Sequence, residues 1–335
     1  MKQIVVHAPG GLDRLELVNA VDPGHPGPGQ IRVRLHASSL NFHDYLVVSG
    51  PSTPRDDRVP MADGAGVVES VGEGVTEFAE GDSVVSGFFP LWPAGPALDA
   101  DFTRVPGDGM DGYARECVVT DATWFTHAPR DWSHAEAATI TTAGLTAWRA
   151  LVVNGDLKAG DTVLTLGSGG VSVYAIQLAK AMGAHVIATT GHQEKIDTLR
   201  ELGADHVIDY REDPEWGTTV MELTGGRGAD HVIEVGGAVT LPQSIRAVSI
   251  GGHISLIGVL SGRGGDIPTG LLMAKQARLE GLIVGSRRDQ QDFVRALEST
   301  GLRPVIDRSF SLEEIAAAFR HQESQNHVGK IVLEW

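Results

Sequence analysis

"DTVLTLGSGGVSVYAIQLAKAMG", residues 161–183, decides the fold. An apolar, strand-like run enters a glycine-rich turn and leaves as a helical pattern, the setting in which glycine spacing carries meaning. Gly167 permits a tight turn, Gly169 lets backbone approach a pyrophosphate, and Ser172 stands where a G-x-G-x-x-G loop has its third glycine. Ser168, Gly169, Gly170 and Val171 would then offer a phosphate the unpaired N–H groups and positive dipole end of the following helix. Val171, Ala175, Leu178 and Met182 form one stripe of that helix, and Gly183 stops it. A plain strand–helix turn is the alternative, and the flanking sequence argues against it.

Apolar runs recur at 162–167, 185–190, 205–210, 230–235, 253–258 and 282–286, separated by helix-like stretches. Strands that are apolar throughout belong in a sheet covered on both faces, so six of them with helical crossovers predict a doubly wound parallel sheet. Before about residue 125 the pieces are short, strand-like and broken by Gly and Pro, as in an irregular β-rich domain. After 286 come a helix, a capping-box pair at Ser311 and Glu314, and the closing run "KIVLEW", which returns to the first domain. The expected fold class is therefore α/β, with a β-rich domain from residues 1–126 and 286–335 and a Rossmann six-stranded domain from 127–285. Two domains also imply a cleft.

The 335 residues hold 27 basic and 43 acidic side chains, and the net charge of −16 argues against nucleic acid or anionic lipid as a partner. The densest acidic stretch, from Asp99 to Asp121, is interrupted by Gly and Pro and reads as a solvated surface lobe. Cys117 is the single cysteine, which excludes an internal disulfide and a cysteine-based zinc cluster and suits the reducing cytoplasm. No signal-peptide core opens the chain, and the uncharged span 162–179 is cut by glycines, so no membrane segment is expected.

NAD-binding sheets usually end their second strand on a carboxylate that accepts from the ribose hydroxyls. Here that strand ends at Thr190, with His192 and Lys195 following. Such a set can donate to a 2′-phosphate and lacks the charge that would repel one, so NADPH is expected. Tyr210, closing the third strand, could reach the same group. Lys195 as a solvated helix residue and Tyr210 as packing are the competing assignments.

The order of parts resembles the zinc-independent medium-chain dehydrogenase/reductases, the quinone oxidoreductase-like branch. The likeness rests on "LNFHDY", "ADGAGVVESVGEGVTEFAEGDSVV", "TTAGLTAWRAL", "LGADHVIDYRE", "GGHISLIGVLSG" and "HVGKIVLEW", and it runs nearly end to end. It implies a GroES-like domain built from both chain ends, an inserted Rossmann domain, hydride transfer in the cleft, and homodimers or tetramers formed through the Rossmann sheet edge. It also places Thr142, Ile257, Gly258, Val259 and Val284 near the nicotinamide. Zinc-using relatives supply Cys, His and Cys to a catalytic metal, and those places hold Asn41, Ala62 and Thr142, so no zinc is expected. A replacement metal around His43, Asp44 and Asp63 is a weaker reading than Asp44 bonding backbone to hold its loop.

Without a metal to stabilise an alkoxide, quinones and α,β-unsaturated carbonyls are the accessible acceptors, because the added charge is delocalised onto a distant oxygen. Asn41, Tyr45 and His43 are the candidate catalytic residues: an amide donor, a phenol and a proton donor. Bracing of the 38–50 loop, an aromatic wall and a surface histidine are their structural counterparts. Lys330 reads as a solvent-exposed lysine or as bordering the cleft, and Phe88, Phe89 and Trp92 as a lobe core or a substrate wall. The expected function is an NADPH-dependent, zinc-free reductase. An alcohol dehydrogenase of the same fold, or an NADPH-binding protein without catalysis, are the alternatives.

Overall fold

The computed structural model describes residues 1–50, 56–262 and 264–335. The chain divides into two compact units, Met1–Leu145 with Val284–Trp335, and Thr146–Ile283.

The second unit is a six-stranded, all-parallel sheet. Its strands run in the order His206–Asp209, His185–Thr190, Thr162–Leu166, Ala229–Glu234, Val248–Leu256, Arg278–Gly281. This is the doubly wound order in which the chain reverses direction beside its first strand. All five residues of Thr162–Leu166 are buried, as a strand covered on both faces must be. The first five strands fall where the apolar runs predict. The sixth does not: Arg278–Gly281 carries the ladder to residues 253–256, and after a last bond from Leu282 N–H to the Leu256 carbonyl at 2.9 Å the run 283–286 leaves the sheet. Ile283 is exposed there and Val284 turns to φ +45°, which ends any extended run. The helix after the glycine turn spans Gly170–Ala181, and it buries a wider face than the expected stripe, from Ser172 to Ala179.

In the first unit Gln30–Ser39 is the hub of a seven-stranded sheet, pairing with Ala65–Val71, Cys117–Asp121 and the C-terminal Lys330–Glu334. Lys330–Glu334 pairs in turn with Ile306–Ser311, so the tail does return to the β-rich unit. Segment 127–145 belongs to this unit too, which corrects the expected boundary after residue 126. The reason is packing: Ala135, Ala137 and Ala138 of the short helix His134–Ala138 join Ala37, Ala65 and Val332 in one buried cluster. Val284 and Gly285 likewise group with the β-rich unit and not with the sheet unit. Among the described residues, no helix is long and apolar enough to cross a membrane.

Candidate active site

The glycine turn of the second unit has the features of a dinucleotide loop. Gly167 takes φ +77°, a left-handed backbone that favours glycine. Gly169 is extended at φ −76°, ψ 178°, and a Cβ built on it would meet no protein atom within 4 Å. Protein packing therefore does not require a glycine at 169, whereas a closely approaching ligand would. Ser172, in place of the third glycine, is buried and donates its hydroxyl to the carbonyl of Leu166 at 2.6 Å, tying helix to strand.

Lys195 is 4% exposed, and its Nζ donates to Ser168 Oγ at 3.2 Å. It is not a solvated helix residue: the structure holds a primary ammonium at the phosphate loop. Thr190 is buried at the strand end and its Oγ1 accepts from the N–H of His192 at 3.2 Å, while the His192 imidazole turns to Glu194 at 2.9 Å. Tyr210 lies over Gly191, where a Cβ would come within 2.5 Å of the phenol oxygen. The N–H groups of Ile257 and Gly258 both donate to the carbonyl of Glu234, at 2.8 and 3.2 Å, so neither amide is free for a ligand; Val259 is partly exposed. Glu234 itself was missed by sequence reasoning. Fully buried, it accepts from Gly236 N–H, Gly237 N–H, Thr240 and Ser244 and so shapes the loop after its strand.

The first unit contains a buried polar cluster built on residues 39–44. Helix Phe42–Ser49 starts at Asn41, and Asp44 reaches back to accept the Asn41 N–H at 3.0 Å, a capping interaction. The other oxygen of Asp44 accepts from the N–H of Ala62 at 2.8 Å, so Asp44 holds the loop as expected. The Asn41 amide donates to Asp63 Oδ2 at 2.8 Å, Asp44 Oδ2 at 3.1 Å and the carbonyl of Ser39 at 3.2 Å, and its oxygen accepts from Lys330 Nζ at 2.6 Å. Its donors are committed within the protein, so Asn41 braces the loop and is not a free donor facing substrate. Asp63 accepts further from Ser39 Oγ at 2.6 Å and from Thr142 Oγ1 at 2.5 Å. Thr142 lies in a π-helical turn, Ile140–Gly144, a local widening common at functional sites.

Lys330 is 3% exposed, with Nζ also donating to the carbonyl of Leu40 at 2.5 Å, which excludes the solvent-exposed reading. Burial lowers its pKa, opposed by the charges of Asp63 and Asp44. Burial likewise pushes Asp63 up to about 6, with Lys330 pulling the other way.

Tyr45 is not brought into this cluster. Its hydroxyl donates to Glu323 at 2.8 Å, and its ring packs on Phe42 and Phe319. His43 sits between Asp108, 3.3 Å from Nε2, and Asp44, 3.9 Å from Nδ1, with its ring edge on Phe88. Asp108 was hidden from sequence reasoning inside the acidic lobe. Phe88, Phe89 and Trp92 are buried and pack with Phe102 as the lobe's own core. Val284 is buried at φ +45°, a strained conformation for a β-branched residue.

The chain matches the family models described as alcohol dehydrogenase GroES-like domain, over residues 27–130, and zinc-binding dehydrogenase, over residues 170–299. It is 37% identical to a zinc-type alcohol dehydrogenase-like protein of Schizosaccharomyces pombe, across all of this chain and 99% of that protein. The chain belongs to the medium-chain dehydrogenase/reductase family. As a member it is a nicotinamide-dependent oxidoreductase. Similar solved structures include a putative alcohol dehydrogenase from Sinorhizobium meliloti, 40% identical with a TM-score of 0.93 over all of this chain and 98% of that one. An NAD-dependent alcohol dehydrogenase is 35% identical, TM-score 0.91, over the whole of both chains. A quinone oxidoreductase of Escherichia coli complexed with NADPH is 26% identical, TM-score 0.83, again over both whole chains.

The family's two prosthetic options can be tested against the residues present. A dinucleotide fits the second unit, where Gly167, Gly169, Ser168 and Lys195 form a loop with space and a cation. Zinc does not fit the first unit. An amide, a methyl and a hydroxyl stand at 41, 62 and 142, and the neighbouring carboxylates of Asp44 and Asp63 are engaged by protein donors beside the Lys330 ammonium. Among the described residues, the grouping of donors close enough to share one ion is His7, Asp56 and Asp57, which has no residue in common with this cluster.

Proposed function

We propose that this protein is a zinc-free, NADPH-dependent reductase of quinones or α,β-unsaturated carbonyls, acting as a homodimer in the cytoplasm. The observation that carries the reading is the cluster at 41, 44, 63, 142 and 330. Neutral groups stand at 41, 62 and 142, the positions from which zinc-using relatives bind metal, with the buried Lys330 ammonium beside them, which supports a site without a Lewis acid for an isolated carbonyl. Bound NADPH would supply the hydride. The chain's contribution is to bind and orient, with Gly167 to Val171 at the pyrophosphate and Lys195, Thr190 and Tyr210 toward a 2′-phosphate. The buried Lys195 at Ser168 and the absence of a carboxylate at Thr190 support NADPH over NADH.

Alcohol dehydrogenase activity is the second reading, favoured by the likeness to the NAD-dependent alcohol dehydrogenase. One experiment separates the two: chelator-treated protein is offered NADPH and NADH in parallel with a quinone, an enone and a simple ketone. Saturable turnover of the quinone or enone with NADPH is expected, and Lys195→Ala should raise KM for NADPH by roughly 10-fold or more and KM for NADH by less. Turnover of the ketone alone, abolished by chelation, would overturn the reading.

The dimer rests on the edge strand Arg278–Gly281, which pairs on one side only within the sheet, and on the exposed Ile250 and Ile283 of its neighbour and its exit. Light scattering should give twice the chain mass; a monomer at micromolar concentration removes this part of the reading.

A further inference from the structure

In a dinucleotide-binding sheet the second strand ends beside the 2′ position of the adenine-bearing ribose. Here that strand is His185–Thr190, and the residues around its end, Thr190, Gly191, His192, Lys195 and Tyr210, all belong to the sheet unit. Their polar groups differ in how far they are committed. Lys195 Nζ donates to Ser168 Oγ, Thr190 Oγ1 accepts from the N–H of His192, and the His192 imidazole is turned to Glu194. The Tyr210 hydroxyl has no hydrogen-bond partner among the described residues, and the residue is 41% exposed.

A glycine governs where that phenol lies. Tyr210 follows the edge strand His206–Asp209, and its N–H donates to the carbonyl of Thr190 at 3.0 Å, so its ring starts beside the second strand's end. From there it covers Gly191, which is buried. A Cβ at 191 would come within 2.5 Å of both Cζ and Oη of the ring and 2.9 Å of Cε2, far inside the ~3.5 Å of a good carbon contact. These are the three nearest atoms, and all belong to Tyr210. The Gly191 backbone lies outside the left-handed region, so its conformation does not demand glycine as that of Gly167 does. The tyrosine ring does.

We propose that Gly191 is a positioning residue for cofactor selection: by lacking a side chain it seats the Tyr210 ring against the end of the second strand, with the phenol hydroxyl placed to donate to a nucleotide 2′-phosphate. This rests on the NADPH reading above. A hydroxyl donating to a phosphate dianion makes a charge-assisted bond. That bond adds affinity for a nucleotide carrying the 2′-phosphate and nothing for one lacking it. Lys195 discriminates less sharply, because its ammonium also lies at the phosphate loop and attracts either nucleotide. Alanine at 191 displaces the far end of a side chain and no backbone, so the ring swings off the strand end while the fold remains.

The test is calorimetric binding of adenosine 2′,5′-bisphosphate and of adenosine 5′-monophosphate to wild type, Gly191→Ala, Tyr210→Phe and the double variant. Wild type should bind the bisphosphate more tightly. G191A and Y210F should each lose roughly 10-fold for the bisphosphate and hardly any affinity for the monophosphate. The double variant should lose no more than either single one, because both changes remove the same bond. A G191A protein with wild-type preference would overturn the proposal. So would equal weakening of both nucleotides or an early thermal melt in G191A, which mark the glycine as structural, and so would losses that multiply in the double variant. Wild type that binds the two nucleotides equally would instead overturn the NADPH reading, and this inference with it.

Discussion

A valine at Gly169 should remove cofactor binding and leave the fold standing. Gly169 has an extended backbone that any residue can adopt, and a Cβ there would touch nothing in the protein. Its neighbour Gly167 differs, because φ +77° strains any side chain at that site. Valine at 169 therefore exacts little beyond a weaker start for helix Gly170–Ala181, about 1 kcal/mol. A pyrophosphate against the helix N-terminus would meet both branches of the valine. Loss of the close backbone approach and its charge-assisted hydrogen bonds should weaken NADPH binding by roughly 100-fold or more, equivalent to about 3 kcal/mol. Fluorescence titration with NADPH, alongside a denaturant melt, separates the two effects. Binding within a few-fold of wild type would show that the dinucleotide does not approach the chain at Gly169.

The second unit was legible because its signal is local. Apolar runs, a glycine turn and helix stops each lie within about 20 residues, and the sheet order follows from their alternation. The sixth strand was misplaced because "LIVGS" is more apolar than "RLEG", and an edge strand needs burial on fewer faces than a central one. The polar cluster was legible only in part. The replacements at 41, 62 and 142 are sequence facts, but the partners of Asn41 lie 22 and 289 positions away at Asp63 and Lys330. No periodicity reports such pairings. Lys330 was left between an exposed lysine and one bordering the cleft because lysine is usually exposed, and the apolar run that follows it does not reveal that the strand's first residue is buried as well. Asp108 was lost in a run of acids for a related reason: its partner His43 lies 65 positions away.

Lys330→Met should be the most destabilising single change in the β-rich unit's polar cluster, by about 3 kcal/mol or more at pH 8, because one member of a buried charged set is removed while Asp63 and Asp44 stay buried. Methionine keeps the length of the stem, so the loss reads out the ammonium and its bonds to Asn41 and Leu40 and not a large cavity. The deficit should depend on pH in a definite sense. Asp63 is held up to about 6 even with Lys330 present, above the 3.8 of a free aspartate. A carboxyl whose folded pKa is raised loses stability progressively as pH rises from its unfolded to its folded pKa, and the full penalty persists at every higher pH. Removing the cation raises the folded pKa further and extends that window upward. The gap between wild type and K330M should therefore widen from pH 6 to pH 8, and Asp63→Asn in the K330M background should flatten it. Denaturant unfolding of the four proteins of this double-mutant cycle at the two pH values measures the coupling directly. A K330M protein as stable as wild type at pH 8 would mean that the cluster holds without its ammonium, and that the charge-for-metal reading of this site is mistaken.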